Sequence, residues 1–584
     1  MNKSRALMLF LLLTLLTLSV GLLTASPDAQ TAPTLVPPTL VPTQPPSNFD
    51  ALPSESGVAR IVRDGRVRVG ILYNEPPFGE LSVRGEETGF DADIARSLAE
   101  AWGVTVEFVQ ATRQTGIELV ANGNIDLLIA AQPHLRDLDN RVEFSQSYYP
   151  SVQALIVRNG DGATTLEHMA DRNIGIVMGT RSELAVADWE RRTEYPFNVT
   201  RYMTLDRALA ALTAQEVDGV IENYVHIQRM IRFQAENYRF VDVPVMAEPY
   251  AVAVRRQDVN LRNLVNRTLQ YLYRNGRLNE LHQTHFDGAN YPTSAFITWA
   301  NVGDDAPQPA NFPSDVPFPI QYVVPNLQSA RVLRVAGLRE LPADAPDSLR
   351  RLDGVNRALI NAMAMRWNVT VQPIPGDNPV DLVATGQADL AIGVTPDWAA
   401  ADRVDFSSYY LMHGLRMMLR SDANIGGLGD LRGQIIGVFQ DEPGVRELVT
   451  SLASDQRAVV DDFFTILREQ DAAYTMLVDN NARVVVGDSL RLIPNVEANG
   501  EQLELLTDAD GRAIWYSREY VGMAVPRNDI DFRLLVEYTL QEMARDGSLL
   551  PLLQPVMYPQ DAPSFEYYPG PTQYLGFNLT GQQG

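Results

Sequence analysis

Cysteine is missing from all 584 residues of this chain. Its absence excludes disulfides, thiolate nucleophiles, cysteine zinc sites and a lipid-modified N-terminal cysteine. Lysine is nearly missing too. Lys3 is the only one, so everything after it lacks a Schiff-base or phosphate-loop lysine. Arginine carries the positive charge from there on, and its rigid fork suits carboxylate pairing. Positive charge is in deficit overall: the formal net charge is −24. Such a surface repels phosphate backbones and anionic lipid surfaces, so nucleic acid is not an expected partner. There is no nucleophile-elbow motif and no dinucleotide fingerprint, so no catalytic residue and no cofactor is indicated. His282 and His285 stand three apart without a carboxylate at diagnostic spacing, and read as a surface helix end rather than as metal ligands.

Long apolar runs are scarce as well. The one present, residues 6–23, follows Met-Asn-Lys-Ser-Arg and precedes small residues. A basic start, an apolar run and small residues after it form a secretory signal, and predict an exported protein. The run exceeds the usual ~7–15 residues of such a core, so an uncleaved anchor that tethers the protein to a membrane fits equally. Residues 1–26 are therefore a signal peptide or anchor. Residues 27–57, rich in Pro and Thr, cannot bury a core and read as an extended spacer.

The remainder contains an internal repeat. Residues 89–106 (GFDADIARSLAEAWGVTV) answer 354–371 (GVNRALINAMAMRWNVTV). GNIDLLIAA at 123–131 answers GQADLAIGV at 386–394, and RVEFSQSYY at 141–149 answers RVDFSSYY at 403–410. IGIVMG at 174–179 answers IGVFQD at 436–441, and LQYLYRNGRL at 269–278 answers LQEMARDGSL at 540–549. Helical spacing followed by β-branched strands implies α/β domains with mostly parallel sheets. The repeat predicts a first domain at 58–290 and a diverged second at 330–560. A Pro-rich, acidic linker at 291–329 joins them, and residues 561–584 read as a loose tail.

Pro76-Pro77-Phe78, GFDADIARSLA, GNIDLLIAA, RVEFSQSYY, IGIVMGT and a closing helix with an Asn-Gly turn together resemble a known pattern. It is that of the extracellular solute-binding proteins of family 3, the polar amino-acid binding proteins of ABC importers. The resemblance implies two tandem clamshell domains of the type II periplasmic-binding-protein kind, each of two α/β lobes joined by two crossing segments. Ligand would sit at the carboxyl ends of the strands, where helix N-termini offer free amides, and the hinge would close on it.

The same resemblance assigns candidate ligand-binding residues. The family's stacking aromatic falls at Glu75, a candidate for a ligand ammonium or else a solvated loop carboxylate. Phe78 fits the pattern, with plain lobe packing as the alternative. A second aromatic place falls at Arg113. The place of the carboxylate-gripping arginine is Leu138; Arg136 reaches it only if the loop shifts, and is otherwise a surface arginine. Gly179-Thr180-Arg181-Ser182 opens a helix, so Thr180 and Arg181 are candidates for a carboxylate site, with an ordinary cap as the alternative. The ammonium-binding aspartate place is Asn223, with Glu222 beside it. This cleft is richer in arginine and poorer in aromatics than the family pattern, and suggests an acidic or multiply polar ligand. In the second copy Asp488 restores the family aspartate, Asp441-Glu442 replaces Gly-Thr, and no arginine falls in the loop 393–402. That cleft fits a cationic ligand or a degenerate structural copy.

The expected function is extracytoplasmic binding of a small polar solute, an amino acid or related carboxylate, for ABC-type import with a permease as partner. The alternatives are a ligand-sensing or scaffold ectodomain working through a membrane partner and, more remotely, a dehydratase-like enzyme on the same fold.

Overall fold

The computed structural model describes residues 55–581 apart from 293–296, 432–433, 440–463, 468–471 and 563–564. Within it, the two copies build their first lobes alike. A strand (Arg66–Ile71; Val332–Ala336) leads through a long helix (Phe90–Trp102; Asp347–Trp367) to a second strand (Thr105–Gln110; Thr370–Pro373). A short helix (Gly116–Ala121; Pro379–Ala384) then precedes a third strand (Leu127–Leu128; Leu390–Val394). The first strand lies between the other two, parallel to both. Helix Phe90–Trp102 forms because Phe90, Ile94, Leu98 and Trp102 recur on one face, where they pack on Val67, Val69 and Leu127. It stops at Gly103 and its counterpart at Asn368, both at left-handed φ (67° and 53°).

Buried hydrogen bonds recur with the elements. Trp102 Nε1 donates to Thr268 Oγ1 at 2.9 Å, and Trp367 Nε1 to Thr539 Oγ1 at 2.9 Å. The Tyr148 hydroxyl donates to Asp91, and that of Tyr410 to Asn356. Arg68 pairs with Asp126, and Arg334 with Asp389.

The crossings between lobes differ. In the first copy Val142–Arg158 and Met246–Arg255 pair antiparallel from one lobe into the other and join both in a nine-stranded sheet. In the second copy Leu411–His413 and Leu415–Arg420 are separated by Gly414, and the lobes carry separate six- and five-stranded sheets. Gly414 sits at φ +150°, and a Cβ there would collide with the Ser517 carbonyl oxygen. Only glycine lets the crossing segments pass so closely.

The copies dock through helices Val259–Arg274 and Ile530–Arg545, begun by Asp258 and Asp529 caps. The contacts are reciprocal. Arg256 donates to Asp531, and its counterpart Arg527 donates to Asn260, the counterpart of Asp531. Arg262 pairs with Asp405 at 2.6 Å, and Arg533 pairs with Glu143 at 2.9 Å. Trp398 donates to Gln270, and Arg136 donates to Gln541. Such exchange of partners is the mark of an isologous, two-fold interface.

The segments expected as a linker and a loose tail take part in this packing. Asn260 and Asn528, one from each copy, donate to the carbonyls of Pro313 and Pro317. Trp299 packs on Trp398, with ring centroids 4.5 Å apart, and Tyr568 stacks on His134 at 3.8 Å. Phe577 and Leu579 enter the second copy's core. The tail is not loose, because its aromatic residues fill apolar surface that neither copy covers alone. The leader and spacer lie outside the described residues. No described helix is long and apolar enough to cross a membrane.

Candidate functional site

The first copy's cleft is built at strand ends. The loop after Arg66–Ile71 brings Glu75, and the loop after Thr105–Gln110 brings Arg113. From the second lobe, Gly179 at φ +75° turns strand Asn173–Val177 into helix Ser182–Arg192, which places Thr180 and Arg181 at the cleft. Strand Gly219–Asn223 ends in Glu222 and Asn223, and Asn223 caps helix Tyr224–Ile231. Together they line a cavity of ≈ 700 Å³.

Its centre is a chain of charges. Glu75 accepts from Arg113 at 2.5 Å and from His226 Nε2 at 2.9 Å. The other ring nitrogen of His226 lies 3.7 Å from Glu222. Burial pushes Glu75 up, but His226 and Arg113 outweigh it and hold the carboxyl at about 2. Burial pulls His226 down, but hydrogen bonds to Glu222 and Glu75 outweigh it and lift the imidazole to about 9. Both are therefore charged at neutral pH. Glu222 also accepts from the Thr180 and Ser182 hydroxyls, each at 2.9 Å, and from the Asn223 amide at 3.0 Å. Burial raises Glu222 as well, and again these partners, His226 foremost, overcome it and lower it.

Beneath lies Glu248, fully buried on the returning crossing strand. Arg181 pairs with it, and Gln153 and Asn223 donate to it at 2.7 and 3.0 Å. The Asn223 amide also meets Ser151 and Tyr250, and its oxygen caps Val225. At the mouth, Arg229 and Arg232 line the cavity exposed.

Glu75, Arg113, Thr180, Arg181, Glu222 and Asn223 thus surround one cavity. Two of the other candidates lie elsewhere in this copy. Phe78 is wholly buried against Phe90, Tyr149, Tyr250 and Phe286. It packs the lobe and does not face the cleft. Arg136 does not shift into the cleft, nor is it a surface arginine. It is buried between the copies, pairs with Glu542 at 2.7 Å and lies over the Tyr538 ring. Its loop is drawn to the interface, where His134 is also buried. In the second copy Asp488 caps Leu490 and takes the His413 ring at 2.7 Å, with Glu519 4.0 Å from the other ring nitrogen. Asp441 lies outside the described residues.

Sequence reasoning missed His226, Glu248, Gln153, Arg229 and Arg232. Two signals were available. His226 stands four residues after Glu222, the spacing of neighbours on a helix face. Glu248 is the one carboxylate in a mostly apolar strand and stands seven residues from the strand's terminal Arg255, which calls for a buried partner. The two histidines read as a surface helix end are partnered: His282 is buried against the Ala289 carbonyl, and His285 pairs with Asp93 at 2.7 Å. Among the described residues no cluster of three or more such side chains is placed to hold a metal.

Comparison with known proteins agrees with this architecture. The model of the bacterial extracellular solute-binding proteins, family 3, matches residues 67–288 and again 335–555. The ABC transporter glutamine-binding protein of Bacillus subtilis (strain 168) is 25% identical over 231 residues, 39% of this chain and 83% of that protein. The L-arginine-binding protein of Pseudomonas aeruginosa is 24% identical over 233 residues, 38% of this chain and 88% of that protein. Among solved structures, an ancestral arginine-binding protein bound to glutamine is 27% identical with a TM-score of 0.31, covering 38% of this chain and 98% of that one. A duplicated α/β clamshell and two consecutive family matches, spanning more than half of the chain between them, lead to one conclusion: the chain belongs to the bacterial extracellular solute-binding proteins, family 3, and carries that domain twice.

Proposed function

We propose that the chain captures a small polar solute, an amino acid or related carboxylate, outside the cell for an ABC-type importer, and that the first cleft is where it binds. The observation that carries this reading is the ≈ 700 Å³ cavity, into which both lobes send charged and hydrogen-bonding groups. Cations prevail there. Arg113, Arg181, His226, Arg229 and Arg232 outnumber Glu75, Glu222 and Glu248. The amides opening helix Ser182–Arg192 add a favourable dipole for an anion. A permease is the proposed partner, and the N-terminal apolar run is the proposed export signal or tether. In the second cleft Asp488, His413 and Glu519 support either a cationic ligand or a role that is structural only.

The test is a thermal-shift and calorimetry screen of amino acids, dicarboxylates and sugars on the intact chain. Separated halves are the wrong material, because each would expose the buried ion pairs of the interface. A true ligand at a hundredfold excess over its Kd adds about 2.7 kcal/mol of stability. A panel that shifts nothing sinks the proposal.

A further inference from the structure

We infer that the first cleft selects an organic anion that carries no ammonium group, because His226 already occupies the place between Glu75 and Glu222 where a ligand cation would sit. The inference rests on the reading of this cleft as the solute site and narrows it.

A ligand ammonium needs a carboxylate with unspent charge. Glu75 holds Arg113 and His226. Glu222 faces His226 and is further satisfied by two hydroxyls and a backbone amide. Glu248 is sealed under Arg181, Gln153 and Asn223. Asn223, where the resemblance places an ammonium-binding aspartate, is neutral, and both ends of its amide are engaged. Both ring nitrogens of His226 face carboxylates, the arrangement in which the imidazole is a cation with two N–H donors. It is a tethered cation in a cation's position. An incoming ammonium must displace it while passing Arg229 and Arg232, neither of which has an ion-pair partner among the described residues. A carboxylate meets no such barrier. Arg113 keeps N–H groups beyond the one spent on Glu75, and the mouth arginines are open. The sequence-level reading of an acidic or multiply polar ligand is thereby sharpened to an acid without an amine.

Calorimetry on the intact chain with matched pairs decides the matter: succinate against L-aspartate, and glutarate against L-glutamate. Members of each pair differ only in the α-ammonium. The amine-free acid is expected to bind at least tenfold more tightly in any pair that binds. Equal or tighter binding of the amino acid overturns the inference but leaves solute capture intact. So does finding that none of the four binds while another amino acid does. If no solute of any class binds, solute capture by this cleft falls too. His226→Ala frees Glu75 and Glu222, and is expected to move the amino-acid to amine-free affinity ratio at least tenfold toward the amino acid. An unchanged ratio in a folded variant counts against the tethered-cation role. The wild-type comparison decides alone if the variant does not fold.

Discussion

Ser151, Asn223 and Glu248 of the first copy stand where the second copy has His413, Asp488 and Glu519. In one the trio is a neutral hydroxyl and amide around a buried carboxylate. In the other it is an imidazole between two carboxylates. Yet the same tryptophan–threonine, tyrosine–Asp/Asn and arginine–aspartate bonds hold both lobes together. The difference teaches which groups the fold requires and which it leaves free. Bonds inside each first lobe are repeated, because without them a buried donor or acceptor stays unpaired. Cleft residues are not repeated, because each trio pairs its own polar groups, Asn223 with Ser151 and Glu248 in one copy and Asp488 with His413 in the other. The second copy also has work independent of any ligand. It supplies Asp405, Gln541 and Glu542 to groups that the first copy buries at the interface.

The sharpest way to break the comparison is at that interface. Arg262 is almost fully buried between Glu143 and Asp405, whereas its counterpart Arg533 is more open and, among the described residues, pairs with Glu143 alone. Arg262→Ala leaves Asp405 buried without a cation and Glu143 with Arg533 as its remaining partner, and should cost about 3–5 kcal/mol, the scale for breaking a buried pair. Arg533→Ala should cost less. Equilibrium denaturation of the intact chain checks both. Equal losses would mean that the reciprocity of the contacts extends to their energies, and a loss from Arg262→Ala under about 1 kcal/mol would show that the network does not hold the copies.

A smaller pair of effects tests the sameness of the lobes. Thr268→Val and Thr539→Val each strand a buried tryptophan N–H, and each should cost about 1–3 kcal/mol. The two losses are expected to agree. A large gap between them would mean that the cores, alike in their bonds, differ in how far they relax around a lost partner.

The repeat, the α/β class and much of the first cleft were legible in the sequence for a physical reason. Helical spacing such as Phe90, Ile94, Leu98 and Trp102, and Gly-opened strand and helix starts such as Gly179, are local patterns. Arg136 was not legible, because its partners Gln541 and Glu542 lie four hundred positions away and belong to docking rather than to folding of either copy. The tail misled for the same reason: proline and tyrosine read as loose until the surface they cover is known. Phe78 sits in a motif that fits binding and packing alike, and only its neighbours Phe90 and Tyr250 decide for packing.

The smallest effect expected is a pH dependence carried by one histidine in each cleft. His226 rises to about 9 from an ordinary 6.5. Its contribution to stability is therefore complete below 6.5 and lost as pH climbs through 9. Glu75 falls to about 2 from 4.5, so its share is complete above 4.5 and lost as pH drops through 2. The Glu75–His226–Glu222 chain, with Arg113 behind Glu75, is thus intact between those limits and loosens on the alkaline side. Wild-type melting alone does not isolate it. Burial also raises Asp91 and Asp529 to about 7 and Glu566 to about 8, and each of these loses stability as pH rises. The difference in melting temperature between wild type and His226→Gln removes that background. It should be largest near pH 6 and vanish towards pH 10. His413→Gln should show the same sign in the second copy, since Asp488 outweighs burial there and raises the imidazole. A His226 difference that stays flat from pH 6 to pH 10 would show that the imidazole is not held as a cation between Glu75 and Glu222. The charge pairing of the first cleft would then lie in Arg113 with Glu75 and Arg181 with Glu248.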